Sequence, residues 1–120
     1  MSDFTAILGR VNEVSGVLGS ALLTNDGIMV ESLLGTGVSD DVVAGLSSFL
    51  ISTTQRTLNE AEMGRFQRFV LHSTHGRVVL IDIGEATLVV LTNQFVNLDG
   101  CLESIQQCAE ELRNAARIHF

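Results

Sequence analysis

The chain has 120 residues, enough to bury a core without disulfide or metal staples, so residues 1–120 are expected to form a single domain. Its formal net charge is −7, with seven arginines and no lysine. A field of that sign repels phosphate backbones and anionic lipid, which argues against nucleic acid and membrane surfaces as partners. Hydrophobic residues make up 46% and charged residues 18%, and apolar side chains recur from Phe4 to Ile118, a composition that folds instead of staying disordered.

The longest uncharged stretch, Val42 to Gln55, is 14 residues and includes Ser, Thr and Gln, whereas a membrane span needs about 20 mostly apolar residues. The start, Met1-Ser2-Asp3-Phe4, lacks the basic region and apolar core of a signal peptide, so a cytoplasmic location is expected. Cys101 and Cys108 are then expected to be reduced core filler. Seven residues along one helix separate them by about 10 Å, too far for an internal disulfide.

In chain order, Phe4, Ile7, Leu8, Val11 and Val14 recur every three or four residues behind a cap at Ser2 or Asp3, which predicts a helix ending near Gly16. Val17–Thr24 and Ile28–Leu34 are apolar runs flanking Asn25-Asp26-Gly27, a connection whose glycine takes the positive φ of a bulged hairpin. Gly35-Thr36-Gly37 breaks the second strand, and Ser39 before Asp40 and Asp41 caps a long helix from Ser39 to Ala61 that Gly64 closes. Val42, Leu46, Phe49, Leu50, Thr53, Leu58 and Ala61 are expected on its buried side.

Phe66–Ser73, Val78–Ile83 and Thr87–Leu91 read as three further strands. Their connections are too short for crossover helices, so they are antiparallel neighbours. Val78-Val79-Leu80-Ile81 and Leu88-Val89-Val90-Leu91 do not alternate with polar residues, so both faces of the sheet are expected to be covered. Leu98, Cys101, Leu102, Ile105, Cys108, Ala109, Leu112 and Ala116 form one stripe of a final helix, with Arg113 and Arg117 near its C-terminus. The predicted fold is α/β (α+β): a five-stranded antiparallel sheet in a helix/sheet/helix sandwich, order α-β-β-α-β-β-β-α, with the middle helix alone on one side.

This order resembles the Roadblock (dynein light chain) family. The likeness is carried by Val14-Ser15-Gly16-Val17-Leu18-Gly19-Ser20-Ala21-Leu22-Leu23, Asp26-Gly27-Ile28-Met29-Val30-Glu31-Ser32, Gly76-Arg77-Val78-Val79-Leu80-Ile81, Ala86-Thr87-Leu88-Val89-Val90-Leu91 and Asn97-Leu98. Asp99 and then Gly100 stand where the family usually has glycine directly after the Asn-Leu pair. The resemblance implies a homodimer in which edge strands pair into one continuous sheet while middle helices pack together. It also implies a regulator or scaffold of a Ras-like small GTPase, in some members an activator. A light-chain-like adaptor without effect on GTP hydrolysis is the alternative.

On the middle helix Gly45, Ser48 and Ser52 form a strip of small residues that would let another helix approach closely, or simply a solvated face. The expected dimer or partner surface is Gly45, Ser48, Ser52, Gln55, Arg56 and Asn59, with Arg65, Gln67 and Arg68 beside the third strand. That strand is a hydrophobic candidate edge, and an exposed edge invites pairing with another chain. Arg56, Arg65 and Arg68 are candidates for insertion into a GTPase site, where a cation stabilises charge on the transferring phosphate. Relatives are thought instead to reshape the GTPase, and conformational activation or scaffolding is the favoured reading.

Catalysis has no support in the pattern. A P-loop needs lysine, which is absent, and Asp40 stands where a dinucleotide fingerprint has its third glycine. His72, His75 and Asp82 offer ligand types for zinc, but two histidines flanking a turn are the ordinary makings of a surface. Neither Gly-x-Ser-x-Gly nor His-Glu-x-x-His occurs. No cofactor and no metal are expected.

Overall fold

A computed structural model describes residues 2–119. The elements follow the expected order: α1 (Ser2–Glu13), β1 (Val17–Thr24), β2 (Met29–Leu33), α2 (Asp40–Glu60), β3 (Arg68–Ser73), β4 (Gly76–Asp82), β5 (Ala86–Thr92) and α3 (Leu98–His119). The third strand starts two residues later than Phe66, because the Phe66 N–H donates to the Gln55 side chain instead of to β4, while the Gln67 carbonyl accepts from Asp82 N. α1 begins at Ser2, where its start was expected.

All pairings are antiparallel and the sheet order is β2-β1-β5-β4-β3. The first and last strands of the row are therefore free edges. Strand alternation sends Leu22, Val79, Ile81, Leu88 and Val90 to one face, where α1 and α3 cover them. Ala21, Leu23, Leu80 and Val89 go to the other, under α2. The unbroken apolar runs of β4 and β5 thus reflect a sheet dry on both sides.

The two faces are not equally packed. Phe4, Leu8 and Val11 of α1 and Ile105, Ala109 and Leu112 of α3 are fully buried. Buried Ser20 donates to Asn12 Oδ1 at 2.7 Å, and Asn12 Nδ2 donates to the Leu33 carbonyl at 3.0 Å, tying α1 to β1 and β2. On α2 only Ser47 is buried among the described residues, and the rest of its inner side stays half-buried.

The β1–β2 turn matches its chemistry. Gly27 sits at φ 90°, and Thr24 N donates to the Ile28 carbonyl at 2.8 Å across a three-residue connection.

Candidate partner-binding surface

The start of α2 is built as its sequence dictates. Ser39 accepts from Val42 N, and Asp40 and Asp41 meet the positive end of the helix. Its far end is closed at Glu62, not at Gly64. Met63 N donates to the Leu58 carbonyl at 2.9 Å and Glu62 N to the Asn59 carbonyl at 3.2 Å, the paired bonds of a Schellman ending. Glu62 itself adopts φ 56°, a conformation glycine fills more cheaply, because the chain must turn back at once to bring Phe66 onto the sheet.

The buried side of α2 differs from the expected one. Val43, Ala44, Ser47, Leu50, Ile51, Thr54 and Leu58 face the sheet, while Val42, Leu46, Phe49, Thr53 and Ala61 are exposed. Only Leu50 and Leu58 of the expected set face inward. The reason is that α2 is apolar around most of its circumference, so periodicity offers two competing stripes and docking chooses between them. The result is a solvent-facing row of Val42 (67% exposed), Leu46 (45%) and Phe49 (65%). These residues recur four and three apart on one line of the helix.

The nine residues expected at the surface do not share one role. Gly45, Ser52 and Arg56 are exposed on α2 and flank the apolar row. Ser48 is half-buried against the β1–β2 turn: a Cβ added to Gly27 would lie 2.7 Å from its Cβ. Gln55 and Asn59 staple the chain reversal after α2, since Gln55 Nε2 donates to Asn59 Oδ1 at 2.9 Å and to the Gly64 carbonyl at 3.0 Å. The Gln55 Oε1 accepts from Phe66 N at 3.0 Å.

Arg65 commits its guanidinium to both oxygens of Asp82, at 2.9 and 3.2 Å, and among the described residues Arg56 and Arg68 are the cations of the set with no carboxylate partner. Gln67 is exposed beside Arg68, which opens the β3 edge opposite Ile81. Phe69 packs on the α2 face, and Leu71, two residues on, shares that face and is exposed. A free apolar edge therefore lies on the same side of the molecule as the α2 row.

The remaining chemical candidates are not assembled. His72 pairs with Arg77 whereas Asp82 lies five residues further along β4, roughly 17 Å away. No group of three His, Cys, Asp or Glu positioned for a metal ion occurs among the described residues. Cys101 and Cys108 are free and buried in α3. Burial pushes both thiols above their ordinary pKa; Arg77 opposes this for Cys101, while at Cys108 Glu111 adds to the rise and Arg10 opposes it. No described helix is long and apolar enough to cross a membrane.

One residue cluster carries no local sequence signature. Arg77 donates to the carbonyls of Val96 (2.8 Å), Gln94 (3.3 Å) and Asn93 (3.5 Å), and Asn93 Oδ1 accepts from Phe95 N and Val96 N. The rigid loop so formed holds Phe95 in solvent.

A five-stranded antiparallel sheet with one helix on one face and two on the other defines a Roadblock-type sandwich. The Roadblock/LC7 domain model matches residues 4–92, and the chain belongs to that family. It is 30% identical over 107 residues to the uncharacterized protein MJ1340 of Methanocaldococcus jannaschii, spanning 89% of this chain and 94% of that one. The fold is shared with MglB of Myxococcus xanthus, at TM-score 0.90, 14% identity and coverage of 96% and 95%. It is shared equally with the gliding protein MglB of Thermus thermophilus, at TM-score 0.86, 18% identity and coverage of 97% and 90%.

Proposed function

We propose that this domain works as a homodimer that binds and regulates, or scaffolds, a Ras-like small GTPase, with α2 and the adjacent β3 edge as its contact surface. The observation that carries the reading is the exposed row Val42, Leu46 and Phe49 beside the free outer edge of β3, Arg68–Ser73. Three large apolar side chains on one helix line, next to open backbone donors and acceptors, make a surface that association would bury. The half-buried inner side of α2 fits a helix whose packing a second copy completes. Family membership supports the partner class, because the Roadblock resemblance implies GTPase regulators.

Stimulation of hydrolysis by an inserted arginine is the weaker route, because Arg65 is already held by Asp82 and Arg56 sits among the residues a second copy would cover. Reshaping of the GTPase fits the surface better. The test is co-purification with Ras-like GTPases of the same cell, followed by single-turnover GTP hydrolysis. A stable complex with altered turnover supports regulation, and binding with unchanged turnover selects the adaptor reading. Absence of a complex in both the GDP and GTP-analogue states refutes both.

A further inference from the structure

The face of the sheet opposite α2 carries a second surface that shares only Arg68, at the β3 edge, with the dimer reading. α3 runs along β5 and leaves the β3 flank of that face open. The gap is a groove of about 450 Å³ between the helix and the strand edge, lined by Arg68, Asp99, Leu102, Glu103, Gln106 and Glu110. Its wall is mostly carbon surface, and its α3 rim is acidic. Glu110 has Arg113 at 3.6 Å, but Asp99 and Glu103 have no ion-pair partner among the described residues. Beyond Glu110 the groove opens into a wider hollow that reaches the Arg65–Asp82 pair.

We infer that this groove docks a basic amphipathic helix from a partner protein, its apolar side against Leu102 and its Lys or Arg residues against Asp99 and Glu103. Length, wall and charge each favour that occupant. From Asp99 to Glu110 the rim is about 17 Å long at 1.5 Å per residue, which is three turns of helix. Side chains line the walls, whereas an added strand would need free backbone groups, and those of β3 point along the sheet and not into the groove. Asp99 and Glu103, which no described cation pairs, attract cations and turn away acidic segments, whereas Arg68 stands on the β3 wall, so the α3 rim selects by charge sign as well as by shape. The inference does not follow from the GTPase reading, because its carboxylates and its apolar wall lie on α3, and only Arg68 is common to the two surfaces.

The test is a titration of isotope-labelled full-length chain with a synthetic 14-residue helix carrying leucines at i, i+3, i+4 and i+7 and lysines on the flanks. A control peptide has glutamate at every lysine position. The expected result is saturable binding of the basic peptide with amide shifts confined to residues 68–72 and 99–110, and none with the acidic one. Glu103→Arg should then weaken binding at least tenfold, while Glu60→Arg, an equal change of charge at the end of α2, should change it less than twofold. Equal losses in the two variants would reduce the effect to the overall field of an acidic protein and overturn the proposal. Shifts centred on the α2 row, or no saturation by about 1 mM peptide, would overturn it as well.

Discussion

Replacing Phe49 with aspartate separates assembly from folding. Phe49 is 65% exposed, so the substitution removes little that the isolated subunit buries. A change of this kind at an exposed position alters stability by within about 0.5 kcal/mol. In a two-fold dimer the same side chain is buried twice. Full burial of a phenylalanine is worth about 1.5–3 kcal/mol relative to exposure, of which roughly two thirds remains available here, giving ~2–4 kcal/mol for the two copies. At 1.4 kcal/mol per decade, the dimer Kd should rise about 30- to 700-fold. The assay is sedimentation equilibrium over a concentration series, with urea unfolding of the same samples. A variant whose dimer Kd stays within about threefold of the parent, well below the change that converts to those kcal/mol, would refute α2 as the interface. A loss of more than about 1 kcal/mol of subunit stability, beyond the range for exposed positions, would refute the exposure argument.

Glu62→Gly should raise stability by about 0.5–1 kcal/mol, because glycine takes the positive φ that Glu62 holds at a cost; an unchanged urea midpoint would count against strain at that cap. Gly27→Ala should cost about 1 kcal/mol more than Gly37→Ala, since both have positive φ but only the first meets Ser48. Combining Gly27→Ala with Ser48→Gly should recover that difference. Gln55→Ala removes three hydrogen bonds at the end of α2 and should cost about 1–3 kcal/mol in chemical unfolding. Stability should also fall as pH rises above the ordinary thiol value of 9.0, because the raised native pKa values of Cys101 and Cys108 leave the unfolded chain with fewer bound protons there. The Cys101→Ala/Cys108→Ala double variant should lose that part of the slope in urea melts recorded from pH 8 to 10.

Much of the fold was legible before any coordinates because its signals are local. The Asn25-Asp26-Gly27 turn, the Ser39 cap, the connections too short for crossovers and the strong single stripe of α3 each depend on a few neighbouring residues, and together they set the number, type and order of the elements. The unbroken apolar runs of β4 and β5 announced a sheet covered on both faces for the same reason: alternation is lost when neither face meets water.

What tertiary structure decided is everything that required a choice between locally equivalent answers. α2 offers two apolar stripes, and only docking on Leu80 and Val89 turned Val43, Ile51 and Leu58 inward and left Val42, Leu46 and Phe49 in solvent. Ser48 and Gln55 resemble surface residues until the hairpin and the chain reversal are laid against them. The groove beside α3 follows from the strand order β2-β1-β5-β4-β3, a set of long-range pairings that periodicity does not encode, and the same order places the expected edge strand, β3, at the end of the row. Local sequence sets which conformations are cheap, whereas which surfaces remain for a partner depends on what the rest of the chain has already covered.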